Sequence, residues 1–348
     1  MATAALGTSA IHSAPRWIIG KRGDLVWVIG SSLAGYLYLF LNLVLDVPVT
    51  LLWWFWSVGL DGTHIFGTAL RTYFDRDARC RDRRLLFGSL LVFFSLGPLL
   101  VLAGLKGPLA IFVGTWAYYH VIRQHYGFLM LYKVKNRDLA PRDNRLDSLF
   151  LAVMLVAPPF HRFFVHSPHE LGLPERIALA SVPGFEPLMW AGVAAVAAAY
   201  AARTYSRIRL GQSLNVPKML LLAGVVPLHW LTFAYMSWQA AVPTVTIVHN
   251  LQYHALIWFH NRNKYAVGGA PGSRFGWLPK TAGTSLAGYA LAAILFSLLY
   301  RVPGFHLGRA SDLAFGFFCG FGLTHYYLDS KIWRVRHDPS LRQALRLE

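Results

Sequence analysis

Two carboxylates fall inside the apolar stretches of this 348-residue chain, Asp61 and Asp329, and each has a histidine one helical turn away. In Asp61-Gly-Thr-His64 the two side chains are separated by about 60° around a helix axis, and in His325-Tyr-Tyr-Leu-Asp329 by about 40°. Each pair therefore faces one side, the spacing by which a carboxylate and an imidazole on one helix reach the same ion. Two further stretches, His120-Val-Ile-Arg-Gln-His125 and His249-Asn-Leu-Gln-Tyr-His254, are both His-x4-His with a glutamine inside the interval. A charge at the centre of a hydrocarbon layer costs about 2.5–3.5 kcal/mol on insertion scales. Residues of this kind need a reason to be there, and Asp61, His64, His120, His125, His249, His254, His325 and Asp329 together point to a metal site.

Depth supports that grouping. His120 and His249 each lie 13 residues before the first basic residue beyond their stretch, Lys133 and Arg262. His64 lies 7 residues before Arg71, and His325 lies 9 before Arg334. At 1.5 Å per residue most of these groups share a layer about 10–20 Å inside one boundary. The i,i+5 spacing works against a single ion, because it sets two histidines about 140° apart on an ideal helix. Either a π-bulge brings them together, as such bulges do at functional sites, or one histidine of each pair binds while the other borders the cavity. Arg123 is expected either to offset Asp61 or Asp329 or to bind a substrate headgroup. Gln124, Asn250, Gln252 and Tyr253 are expected to orient ligating imidazoles or to touch substrate. His161, toward the outer end of its stretch, lies far from this layer. His12, His166, His169, His306 and His337 fall in loops or tails. His260 reads as an interfacial residue, and Trp53, Trp54 and Trp56 as interfacial anchors.

The elements that must position these residues are long apolar helices. The chain is 55% hydrophobic and 14% charged, with mean hydropathy +0.41, too few charges to dress a water-facing globule. Hydropathy places spans near residues 25–45, 49–71, 85–105, 108–132, 146–165, 185–202, 217–238, 240–260, 281–300 and 312–333. The reading is all-α: one polytopic transmembrane bundle of about ten spans, with residues 1–24 and 334–348 as tails. Of 33 Lys and Arg, 27 fall on one side of this alternation, against Lys106, Arg162, Arg176, Arg301 and Arg309 on the other. That asymmetry places both termini in the cytoplasm, in a plasma (inner) membrane. It also accounts for the net charge of +17 and leaves no call for a nucleic-acid partner. Two cysteines, Cys80 and Cys319, make neither a disulfide framework nor a thiolate site.

Imidazole and carboxylate without cysteine suit iron, zinc, manganese or copper. With several histidine clusters near the cytoplasmic ends of aromatic-rich spans, the chain resembles the histidine-rich integral membrane non-haem di-iron enzymes: fatty-acid desaturases, alkane and sterol hydroxylases and carotenoid oxygenases. Its Asp-x2-His, His-x4-His and His-x3-Asp spacings depart from the His-x3-His and His-x2-His-His of that group. The resemblance implies one or two iron ions, dioxygen as co-substrate and an external electron donor. The activity it implies is hydroxylation, desaturation or oxidative cleavage of a lipid or other lipophilic substrate. The alternatives are a proton- or ion-coupled transporter using intramembrane His and Asp, and a haem protein with histidine axial ligands.

Overall fold

The structure is a computed structural model that describes residues 14–267 and 277–347; His12 lies outside them. Among the described residues every regular element is helical. Ten long segments follow in order: α1 (Lys21–Leu43), α2 (49–71), α3 (Arg83–Leu102), α4 (Lys106–Lys135), α5 (Pro141–His166), α6 (Phe185–Arg209), α7 (Val216–Tyr235), α8 (Trp238–Asn261), α9 (Leu286–Ala310) and α10 (Asp312–Ile332). Short helices occupy Arg76–Arg81, Trp277–Thr284 and Pro339–Ala344. Starts are marked by side-chain caps: Ser237, Ser285 and Ser311 accept from backbone N–H groups at α8, α9 and α10, which satisfies donors that a helix start leaves open.

Six helices, α1, α3, α5, α6, α7 and α9, are long and apolar enough to cross a membrane by length and composition. Leu33, Leu51, Phe55, Leu91, Leu102, Leu188 and Leu299 stand exposed on outer faces, as expected where hydrocarbon replaces water. The other four helices are α2, α4, α8 and α10. They carry the polar residues singled out above, and those residues are what lower their apolarity. These four pack as a ring, α2 on α8, α8 on α4, α4 on α10 and α10 on α2. The most enclosed is α8, which also packs on α1 and α7 and buries side chains all round, from Ala240 to Asn261.

Helices α3 and α10 approach closely. A Cβ on Gly97 would lie 1.9 Å from the carbonyl oxygen of Gly316, and one on Gly316 would lie 2.7 Å from the Gly97 carbonyl carbon. Small residues permit this backbone-to-backbone contact, the usual device where van der Waals packing drives helix association in lipid. It seats α10, and so His325 and Asp329, against the bundle.

The described parts of the expected tails are packed, not loose. Ile18 shares an apolar cluster with Leu341 and Leu345, and Asp24 accepts from the N–H groups of Ile18 and Ile19 at 2.7 and 2.9 Å. Arg16 N–H donates to Asn136 Oδ1 at 2.9 Å, and Asn263 Nδ2 donates to the Ala344 carbonyl at 2.7 Å. Arg16 and Ala344 therefore meet the segments that follow α4 and α8, at one end of the bundle. Trp56 differs from its expected role as an anchor. It turns inward and donates to Thr246 Oγ1 at 2.8 Å, because its indole N–H finds a partner in α8. His260 is likewise buried, beside Asn261 and Trp333.

Candidate metal centre

Four imidazoles from four helices meet inside the ring: His64 from α2, His120 from α4, His249 from α8 and His325 from α10. Ring centroids lie 4.6 Å apart for His64–His325, 4.8 Å for His120–His325, 4.9 Å for His120–His249 and 5.2 Å for His64–His249. Nε2 of His64 and Nε2 of His325 are 3.0 Å apart. Two overlapping sets, His64/His249/His325 and His120/His325/Asp329, each place one ligand atom per residue within 4.8 Å of the others. Asp329 Oδ2 lies 3.8 Å from His120 Nε2. All five residues are buried, the most exposed being His120 at 8%.

Thr68, one turn beyond His64, ties the α10 residues in place. Its hydroxyl donates to Asp329 Oδ1 at 2.7 Å and sits 2.8 Å from His325 Nδ1 and 2.7 Å from Tyr253 Oη. Tyr253 Oη also donates to Asp329 Oδ1, at 2.9 Å. A hydroxyl that has given its proton to a carboxylate still accepts, so Thr68 receives Nδ1–H from His325. That leaves the Nε2 lone pair of His325 facing the centre, the way outer hydrogen bonds fix the tautomer of a ligating histidine.

Other candidates go elsewhere. Asp61 lies beside the outer nitrogen of His64, Oδ1 to Nδ1 3.8 Å, and its carboxylate is engaged by Arg301 of α9. Neither α4 nor α8 contains a π-turn between its histidines, so the i,i+5 partners diverge as an ideal helix requires. His254 turns to Thr63 Oγ1 at 3.0 Å and Tyr289 Oη at 2.7 Å. His125 turns to His229, ring centroids 5.9 Å apart, and His229 in turn meets Tyr118 Oη at 2.8 Å. Arg123 is exposed and lies over the Tyr126 ring at 4.8 Å; the cation that offsets Asp61 is Arg301. Gln124 donates to the His249 carbonyl at 2.8 Å and Gln252 to the Val28 carbonyl at 2.8 Å, so both pin α8. Asn250 is fully buried, with neither amide atom hydrogen-bonded.

A metal ion fits this chemistry. His120 Nε2 and His249 Nδ1 are buried without a hydrogen-bond partner, and an unpaired buried polar atom costs about 1–3 kcal/mol. With Nδ1 of each ring protonated, the Nε2 lone pairs of His64 and His325, 3.0 Å apart, would gain from a shared cation. The donor set, imidazoles with one carboxylate and no sulfur, suits iron, copper, zinc or manganese.

An aromatic file leads to the centre from the outer surface. Phe112, exposed on α4, lies 5.3 Å from Trp116; Trp116 lies 6.1 Å from Tyr326; and Tyr326 lies 5.1 Å from His120, all between ring centroids. Comparison with protein-family models, curated proteins and solved structures finds no match for this chain.

Proposed function

We propose that this protein is an integral membrane oxidoreductase of ten spans, with both termini in the cytoplasm of an inner membrane, acting on a lipophilic substrate at a buried non-haem metal centre. The observation that carries the proposal is the convergence of His64, His120, His249, His325 and Asp329 from four helices on one buried volume. Those five residues would hold the metal, with iron the first expectation. A redox-active ion of this kind supplies electron transfer and the capacity to activate dioxygen toward hydrocarbon.

The chain's own residues do the rest. Thr68 and Tyr253 hold Asp329 in one orientation and keep a proton on Nδ1 of His325. Arg301 offsets Asp61, which stands behind His64 and favours a proton on its Nδ1. Exclusion of water strengthens each of these interactions and suppresses side reactions. The file Phe112–Trp116–Tyr326 offers an apolar contact surface from the outer face of α4 to His120, suited to a lipid tail arriving sideways. A cation in transit would need a wet path past its ligands; the enclosure of these five residues favours a resident ion.

Metal content of detergent-purified protein tests the proposal. His120→Ala and His249→Ala are expected to lower bound iron sharply, whereas His306→Ala, at an exposed position, leaves it unchanged. Membrane lipids from cells making the wild type, but not His249→Ala, are expected to gain species with one added oxygen or two lost hydrogens. Full metal content in both histidine variants would refute the assignment of the centre. Intact metal loss with unchanged lipids would refute the oxidoreductase step alone.

A further inference from the structure

The far end of α5 carries a second set of converging ligand atoms. The chain reads His161-Arg-Phe-Phe-Val-His166, the same i,i+5 spacing that diverges in α4 and α8. Here the backbone differs: residues His161–His166 form a π-turn, whose i→i+5 hydrogen bonding stacks residues five apart. The two rings lie 4.4 Å apart between centroids, with Nε2 to Nε2 3.0 Å. Glu186, in the first turn of α6, places Oε1 2.7 Å from His161 Nε2 and 3.2 Å from His166 Nε2. All three ligand atoms satisfy the same mutual limit as the sets in the core.

We propose that His161, His166 and Glu186 form a second metal site, for a divalent transition ion of the zinc class, at the end of the bundle away from the chain termini. Helix α5 has 26 residues and starts just after Asn136, which binds the N-terminal segment; at 1.5 Å per residue its far end is about 39 Å away. Zinc-class ions bind imidazole nitrogen at about 2.0–2.1 Å, which sets tetrahedral neighbours about 3.3 Å apart and octahedral neighbours about 2.9 Å apart. The observed separations of 3.0 and 3.2 Å fall inside that range and the 2.7 Å contact lies just under it, so a small shift of Glu186 would seat all three donors around one ion. They fit protons poorly: if both imidazoles donate Nε2–H to the same oxygen, the two N–H groups face each other, and if one does not, its lone pair faces the carboxylate.

The surroundings suit a cation. Trp190 Nε1 donates to Glu186 Oε1 at 3.3 Å and fixes the carboxylate. The neighbouring Arg162 is engaged by Glu170, with Nη2 2.7 Å from Oε2, so its charge is offset. The His166 side chain is 45% exposed, which leaves room for a water or an external ligand. Binding would also join the end of α5 to the start of α6 and close the segment between them, a loop constraint that lowers the entropy of the open chain.

Zinc itself is the probe. Protein stripped with chelator, loaded with zinc and dialysed is expected to hold one ion fewer per chain in His166→Ala than in wild type, whatever the core centre retains. Glu186→Gln is expected to weaken this zinc at least about tenfold, the lower end of what disturbing a metal's surroundings costs. Zinc should slow proteolysis within 167–184 in wild type and not in either variant. Gel filtration verifies folding, which a half-exposed His166 permits. Equal zinc per chain in wild type and His166→Ala, or identical loop protection, would overturn the proposal. Neither result depends on the chemistry assigned to the core.

Discussion

Replacing Thr68 by valine tests whether the hydroxyl at the base of the core centre sets its affinity for metal. The change keeps the shape of the side chain and removes one oxygen. With it go the bond to Asp329 Oδ1 at 2.7 Å, the contact with His325 Nδ1 at 2.8 Å and the contact with Tyr253 Oη at 2.7 Å. Asp329 Oδ1 keeps only Tyr253, and His325 Nδ1 is left 3.8 Å from that carboxylate oxygen, beyond hydrogen-bond range. The imidazole is then free to take the tautomer that turns N–H toward the metal. Losses of this kind weaken metal binding by about 10–100-fold, equal to about 1.4–2.8 kcal/mol. The control is Thr72→Val, equally buried one turn on, whose hydroxyl donates only to the Thr68 carbonyl at 2.6 Å. Dissociation constants measured in detergent against a chromophoric chelator are expected to rise for Thr68→Val and to stay near wild type for Thr72→Val. Should the two variants bind alike, the hydroxyl does not orient a ligand and the tautomer reasoning fails.

Gly97→Ala is expected to destabilise the protein by about 1–3 kcal/mol or more, read as a lower melting temperature, because the new methyl meets a backbone oxygen at 1.9 Å. Gly114→Ala, where a Cβ has nothing within 4 Å, is the matched control and should melt as wild type. Lys218 lies buried between Asp138 at 3.1 Å and Asp147 at 3.0 Å, so Lys218→Met is expected to cost about 3–5 kcal/mol by leaving carboxylates underpaired; unfolding followed by circular dichroism measures it. Acid acts on the same group. Burial by itself raises the Asp138 carboxyl, but the charges of Lys218, Lys133 and Arg207, with the Lys218 hydrogen bond, hold it below the usual range. A depressed carboxyl contributes stability above its unfolded pKa, about 4 for aspartate, and loses it as pH falls through the lower folded value. The melting temperature is therefore expected to hold down to about pH 5 and to fall below about pH 4, with a smaller fall in Lys218→Met, where the Asp138 carboxyl loses the largest of the charges that depress it.

The helices were legible because apolar runs of about 20 residues leave few alternatives, and polar residues inside them stood out because each carries a cost. His64, His120, His249, His325 and Asp329 were found that way, as members of a larger set. Which histidine of each His-x4-His pair turns inward was not legible, since it depends on whether the backbone takes an extra residue in one turn. The His161–His166 pair is hard to read for a related reason: hydropathy ends the fifth span at 165, one residue short of the end of the π-turn. Thr68 was within reach, being i+4 from His64 on the same face. Arg301 was assigned to a loop because α9 runs on to Ala310, past the apolar stretch; a buried Asp61 already required some cation. Arg71 does not mark a membrane boundary, because it is itself buried, with Nη2 on the Ile332 carbonyl at 2.5 Å.

Two of the five core donors reside on α10, the most C-terminal of the long helices. During synthesis the other three are laid down well before the ribosome reaches them, so a nascent chain lacks a complete donor set until α10 slides against α3 through the Gly97–Gly316 contact. Metal capture by the proposed centre would thereby wait for α10. A product cut short before α10 would carry His64, His120 and His249 without His325 and Asp329.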